Sequence, residues 1–363
     1  MPYCRKCGAK LVDDAQYCFN CGTPVVSPTV QTPPPPEPSR IPKSQPLRKN
    51  PLFIPVMIII AITVFALVIA VVAAMPLNPV NYSDQNRIGQ SGLNKLNLDF
   101  DADVGEIHVY TNLTDGMALM DVSATGGTSI FASNQPVTFT VQNSTSNTTQ
   151  MVTAKVSTPN SFPFAGNLHV VCNIYVNPQV DLTLNVRSTV GEVTMEADSN
   201  AKISSLKLEA TTGNVNLKLQ KGVVVNGGLT VSTSIGNVLF SMNQVGVNGN
   251  VTFDLSSGTG NVEMDITQTQ KFNGNLQVDG HTGTGNVNLI KMLIDGEVAA
   301  RIRSNTGLGE VNVDVQNFNG NQSPIQSNNY PSACNINMNL NTGIGTINLK
   351  AVYQTNIAPT LRF

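Results

Sequence analysis

Four cysteines near the start of the chain carry its clearest chemistry. Cys4, Cys7, Cys18 and Cys21 form two C-x-x-C-G motifs separated by ten residues. Two such knuckles bring four thiolates within reach of one tetrahedral Zn²⁺, and Gly8 and Gly22 allow the tight turns that aim backbone amides at sulfur. Four thiolates close the coordination sphere, so the spacing predicts a structural ion, a staple for a module at residues 1–25 with little core of its own. A redox reading of C-x-x-C needs a thioredoxin-like βαβ context, which so short a segment lacks. Nucleic-acid binding needs a basic face, whereas Arg5, Lys6 and Lys10 are answered by Asp13 and Asp14.

Other reactive side chains are sparse. Of 363 residues, 12% are charged, the three His have no partner at a ligand spacing, and no Trp is present to line a sugar groove. A net charge of −2 argues against strong non-specific binding to nucleic acid or acidic polymers. The best pair for acid–base work is Glu263 and Asp265, both outward on one strand and ~7 Å apart, a separation that glycosidase carboxylates use. Outward carboxylates on a solvated strand are ordinarily only surface, so no catalytic residue and no organic cofactor is assigned.

The elements that position these groups change character along the chain. From Thr23 to Asn50 the composition turns to Pro, Ser, Thr and Gln, with four consecutive prolines from Pro33 to Pro36, which predicts an extended spacer at 26–51. Residues 52–75, LFIPVMIIIAITVFALVIAVVAAM, contain no charge. As a helix they span ~36 Å, enough for a bilayer core with some tilt. Pro55 falls in the first turn, where a missing N–H costs least. A metal-binding module ahead of the apolar run argues against a cleaved signal peptide. Arg40, Lys43, Arg48 and Lys49 crowd the N-terminal flank, while the first charge beyond is Asp84. The positive-inside rule then predicts a single transmembrane helix with the cysteine module in the cytoplasm and the rest outside. Reduced cysteines suit that side.

After a short linker, 76–92, a repeat dominates. STVGEVTM, TTGNVNLKL, STSIGNVLF, SSGTGNVEM, HTGTGNVNL, SNTGLGEVNV and NTGIGTINL are anchored on Gly191, Gly213, Gly236, Gly260, Gly285, Gly309 and Gly345, at intervals of 22, 23, 24, 25, 24 and 36 residues. Two and four residues after each Gly stand apolar side chains, Val193 and Met195 through Ile347 and Leu349, with a mostly polar residue between them. Leu184 and Val186, or Phe253 and Leu255, keep the same alternation seven and five residues before it. Period two with one apolar face is a half-buried strand, and equal offsets stack into one core. Gly280 and Ser304 loosen the fit in their rungs.

The expected fold is therefore all-β: a parallel β-solenoid, or β-helix, at residues 93–353, with regular rungs at 180–352 and a tail at 354–363. Rungs of roughly 24 residues lie ~4.8 Å apart and stack in chain order. Asn214, Asn237, Asn261 and Asn286 suit a side-chain amide ladder, or else tolerate a left-handed corner. The turns lack the Asp column of a calcium roll. Residues 111–178 read as further β structure of unassigned pairing, or as a surface insertion of longer loops. Cys172 and Cys334 should point inward near opposite ends of the stack, ~30 Å apart, too far for a disulfide. Six N-x-S/T triplets, at Asn81, Asn112, Asn143, Asn147, Asn250 and Asn321, all follow the helix and are compatible with an exported, glycosylated surface.

MPYCRKCGAKLVDDAQYCFNCGTPV is similar to the short zinc-ribbon domain attached to many bacterial and archaeal membrane proteins. The opening rung with Gly105 and Glu106, the segment NIYVNPQVDLTLNV from Asn173 to Val186, and the repeated TTGNV or TGTGNV corners resemble the putative adhesin family. This resemblance covers residues 90–353. It implies an extracytoplasmic, membrane-tethered β-solenoid and no activity.

The residues and the resemblance together point to a single-pass membrane protein presenting a non-catalytic solenoid at the cell surface, for adhesion or for a protein or glycan partner. A first alternative is an envelope sensor whose ribbon recruits a cytosolic protein partner. A second is a polysaccharide-active β-helix enzyme using Glu263 and Asp265.

Overall fold

The computed structural model describes residues 3–12, 15–25, 53–74, 78–89, 92–128, 137–158, 168–320 and 322–354. The expected spacer at 26–51, the pair Asp13 and Asp14, the triplet at Asn321 and the tail beyond Gln354 lie outside them. Contacts divide the chain into two compact units, Met1–Ala66 and Leu67–Phe363.

The uncharged run forms one α-helix, Phe53–Ala74, of 22 residues. Pro55 sits in its first turn, and the Thr63 hydroxyl donates to the Ile60 carbonyl at 2.9 Å, which satisfies that polar group within the helix. Side chains are described only from Ile58 to Val68, and these are exposed. Among the described residues, no helix is long and apolar enough to cross a membrane. The expected span is thus present as a helix, while its crossing of a bilayer is not shown.

The second unit is almost wholly β. Its repeats alternate between an eleven-stranded and a thirteen-stranded sheet, and each corner Gly joins one strand of each. Within the regular stack neighbouring strands are parallel and, apart from shifts near Ser204 and Ile290, in register: Val215 pairs with Val193 on one side and Val238 on the other. In-register parallel pairing follows from the equal offsets, because it superposes Val193, Val215, Val238, Val262 and Val287, all 0% exposed. Coils are therefore two-sided, with apolar faces of both sheets meeting between the layers. Phe240 and Phe253 touch edge to face across that core at 5.7 Å.

Glycine at the corner is a steric requirement. The anchoring glycines have φ between 141° and 148°, a conformation L side chains rarely adopt. A Cβ at Gly213 would collide with the Gly191 carbonyl, one at Gly236 with that of Gly213, and one at Gly260 with that of Gly236. Gly280, in an apolar slot, is packed over by Leu340 and Met264, which fill the missing volume.

Stacking in chain order holds from Gly105 to Gly285 only. The strands of the Gly345 rung, Asn335–Ile344 and Ile347–Gln354, lie between those of the Gly285 and Gly309 rungs, so the last repeat in sequence is next to last in space. The 36-residue interval is the return path, and Phe318–Asn319 and Ile325–Ser327 on it pair antiparallel at the end of the thirteen-stranded sheet. Burial explains the order. Met338, Leu340, Ile347 and Leu349 are at most 3% exposed, whereas the end rung carries Ser304 in an apolar slot and tolerates Val311 at 37%. The least apolar rung takes the end, as capping repeats do.

A similar exchange occurs at the other end. Thr149–Ser157 and His169–Val176 form a rung outside the earlier Gly105 rung, pairing parallel to Lys95–Val104 and Glu106–Tyr110. Antiparallel strands Thr138–Ser146, Ala118–Thr128 and Asn78–Ile88 close this end. The described residues of 111–178 thus form the cap, and Asn78–Ile88, within the segment expected as linker at 76–92, adds a strand to its edge.

Candidate functional site

The cysteine module is two copies of one knuckle. In the first, Cys4 N–H donates to Ala9 O at 2.8 Å and Gly8 N–H to Cys4 O at 2.9 Å; in the second, Cys18 N–H donates to Thr23 O at 2.9 Å and Gly22 N–H to Cys18 O at 2.8 Å. Gly8 and Gly22 have φ of 69° and 66°, the left-handed turn their motif requires. Isolated antiparallel bridges, Tyr3 to Lys10 and Tyr17 to Pro24, hold the flanks together.

All four sulfurs lie within 4.8 Å of one another, with Cys4 to Cys21 and Cys7 to Cys18 both at 3.6 Å. Zinc–sulfur bonds of ~2.3 Å place tetrahedral sulfurs about 3.8 Å apart, so the donor set fits such an ion in kind and spacing. The surroundings already favour negative sulfur at two positions. The Thr23 hydroxyl, 3.2 Å away, and the Thr23 amide lower Cys21 to about 6. Backbone amides of Lys6 and Cys7 lower Cys4. At Cys7 the Ala9 amide also favours the thiolate, but the Cys21 thiol, burial and the Cys18 thiol outweigh it and push the group up to about 11. Four crowded thiols cannot all ionise unaided, and a cation at their centre removes that conflict.

Within the repeat domain, the regular polar positions serve the stack. Asn214 Oδ1 accepts from Asn237 N–H at 2.9 Å, Asn237 Oδ1 from Asn261 N–H at 2.8 Å, and Asn261 Oδ1 from Asn286 N–H at 2.9 Å. The expected ladder therefore runs from side-chain carbonyl to backbone amide, and none of these Asn has positive φ. A second ladder was not legible as such. Three residues before the corner, Thr233, Ser257 and Thr282 donate to the carbonyls of Gly213, Gly236 and Gly260, each at 2.8 Å. The signal was present as the recurring Ser or Thr ahead of each Gly, interrupted by Ala210.

Glu263 and Asp265 lie on the outward face of Val262–Gln268, in a shallow hollow of about 330 Å³ shared with Glu196, Lys218 and Ile290. Thr194, Asn216 and Ser241 also line this hollow. A second hollow of about 420 Å³ adjoins it, lined by Asn288, Ile290, Asn312, Asp314, Asn348 and Lys350. A β-bulge makes the boundary: Ile290 and Lys291 together oppose single residues on both neighbouring strands, and Ile290 is extruded to 52% exposure.

Cys172 and Cys334 are both buried free thiols; Cys172 lies on His169–Val176 and Cys334 immediately precedes Asn335–Ile344, in rungs seven steps apart in the stacking order, or ~34 Å at sheet spacing. Burial pushes Cys172 up to about 12. Asn81, Asn112, Asn143, Asn147 and Asn250 are exposed.

Two family models match the chain: the zinc-ribbon domain over residues 3–25, and the N-terminal domain of toast_rack over residues 77–240. No match was found among curated proteins. Among solved structures, the chain is similar to a putative cell adhesion protein from Clostridium sporogenes, at 14% identity and a TM-score of 0.37, covering 76% of this chain and 100% of that one. It is also similar to a putative adhesin from Bacteroides fragilis, at 16% identity and a TM-score of 0.33, covering 74% and 96%. No functional assignment rests on likenesses of that size. Residues 3–25 are thus similar to the zinc-ribbon domain, and residues 77–240, within the β-rich repeat unit, are similar to the N-terminal domain of toast_rack.

Proposed function

We infer that the chain is a single-pass membrane protein whose β-solenoid is displayed outside the cell as a non-catalytic adhesion or envelope-binding rod, with a structural zinc ribbon in the cytoplasm. One observation carries this reading. The repeated Gly, Asn, Ser and Thr positions are spent on rung-to-rung bonds, which leaves a rigid body whose variable side chains face outward. The uncharged sequence at 52–75 and the basic residues ahead of it support the membrane crossing and its direction. Cys4, Cys7, Cys18 and Cys21 would hold the zinc, which supplies charge neutralisation and a crosslink between the knuckles. The test is binding of the detergent-solubilised full chain to isolated cell envelopes, with protease accessibility in intact cells as a topology control. Envelope binding that saturates, and cleavage of the repeat domain from outside, are the expected results. Absence of envelope binding removes the adhesion reading.

A sensor reading has one observation in its favour. Tyr3, Tyr17 and Phe19 on the ribbon are 63%, 64% and 77% exposed, more apolar surface than a bare staple requires. Crosslinking from Phe19 in cells, yielding one cytosolic protein that Phe19→Ser abolishes, would establish it.

A further inference from the structure

We propose that the 420 Å³ hollow on the outward face of the eleven-stranded sheet is a binding site for a neutral, linear glycan. This deepens the adhesion reading and rests on it. Three asparagines from consecutive strands in the stack form one wall. Asn312 Nδ2 donates to Asn348 Oδ1 at 2.9 Å, and Asn348 Nδ2 donates to Asn288 Oδ1 at 2.8 Å. Each amide has two N–H donors and a two-lone-pair acceptor, so a ladder of this kind leaves a donor and acceptor capacity on each rung, repeated every ~4.8 Å. A row of hydroxyls, each both donor and acceptor, is the chemistry that matches such a row. The ladder also holds the amides in place before any ligand arrives, which reduces the ordering cost of binding.

The other wall explains the remaining preferences. Ile290, extruded by the bulge, offers an apolar contact for the C–H face of a sugar ring. Lys350 and Asp314 balance in charge within the hollow, and the adjoining hollow presents Glu263 and Asp265, which repel a polyanion. An extended peptide is disfavoured for a different reason. Strand addition needs a free edge: Val287–Asp295 and Ile347–Gln354 are paired on both sides, and the one-sided edge of Val311–Gln316, which ends the sheet among the described residues, lies beside the face that carries the amides rather than on it. The hollow spans three neighbouring strands of the stack, so a ligand lying across them meets all three amides.

The experiment titrates the detergent-solubilised full chain with cellohexaose, xylohexaose, β-mannohexaose and maltohexaose, and with hexagalacturonate as the anionic probe. Binding of at least one neutral hexasaccharide is expected. Asn348→Leu and Asn312→Leu should each weaken it about tenfold, as the loss of one or two hydrogen bonds to hydroxyls implies. Thr230→Leu, on the outward face of the opposite sheet, should leave it unchanged. Thermal unfolding of each variant checks that the stack is intact, and Asn288→Leu replaces any variant that fails it. Unchanged affinity in the Asn variants overturns the site, as does tighter binding of hexagalacturonate or no binding of any neutral probe. Envelope binding that persists without hexasaccharide binding removes the glycan inference alone; loss of both removes the adhesion reading with it.

Discussion

Replacing Gly236 by Ala tests the corner geometry most directly, and Gly249→Ala is its control. Both residues have positive φ, 146° and 80° respectively. A methyl group at Gly249 meets nothing within 4 Å, so its cost is conformational, roughly 1–2 kcal/mol. A methyl group at Gly236 would lie 2.6 Å from the Gly213 carbonyl carbon and closer still to its oxygen, the acceptor for the Thr233 hydroxyl. The backbone of the adjacent rung cannot withdraw without lengthening the bond from Gly213 N–H to Ile235 O, now 2.9 Å. Overpacking of this kind adds about 1–3 kcal/mol to a similar conformational cost. Gly236→Ala should therefore lose about 2–5 kcal/mol, against about 1–2 for Gly249→Ala. Urea unfolding of the full chain in mild detergent measures the difference, with a midpoint roughly 1 M lower expected for Gly236→Ala. Hydrogen exchange localises it, since the amides of Gly236 and Val238, bonded to Thr259 O and Asn261 O, should lose protection first. Equal midpoints for the two variants would refute the claim that rung spacing at the corner demands glycine.

Three further outcomes follow from the same contacts. Ser257→Ala removes the buried donor to Gly236 O and should cost about 1 kcal/mol, while Ala210→Ser, which restores the ladder at its gap, should be neutral to stabilising; a loss of more than ~3 kcal/mol for Ser257→Ala would mean that the hydroxyl does more than bridge rungs. Glu209 is half-buried, and although desolvation raises its carboxyl, Lys207 at 2.8 Å and Arg187 at 3.1 Å outweigh that and hold it below its ordinary value. Its stabilisation is present above the unfolded carboxylate value near ~4.3 and is lost as pH falls through the lower folded value, so Glu209→Gln should flatten the acid side of a stability–pH profile; an unchanged profile contradicts the pairing. Cys172, at 0% exposure with its thiol pushed up to about 12, should resist maleimide at pH 8 until the stack is unfolded, and rapid labelling in the native state would contradict its place in the core.

Much of the fold is written in local periodicities. Alternation at Val193, Met195 and their equivalents depends only on which side chains face the core, and the corner glycines depend on a conformation and a contact that every rung repeats. Both are properties of a few consecutive residues. The four-cysteine cluster is equally local, since C-x-x-C-G encodes its own turn. Pairing at the ends is of another kind. NPVNYSDQNRI, residues 78–88, carries little apolar alternation and becomes a strand because the exposed edge at Ala118–Thr128 accepts it. The bulge at Ile290 and Lys291 is one extra residue in an otherwise regular alternation, visible only when two neighbouring strands give it a register.

By itself, the sequence determined the knuckles, the uncharged helix, the rung and the residues its core would hold. Tertiary structure alone decided the order of the rungs. Parallel rungs with equal offsets present nearly interchangeable faces, so no local feature says which of two shall be outermost. The choice falls to the burial of a whole face. Met338, Leu340 and Leu349 would lose their cover at the end of the stack, whereas the rung with Ser304 and Val311 loses less there. That same exchange brings Asn288, Asn348 and Asn312 into one ladder, although 60 and 36 residues separate them along the chain.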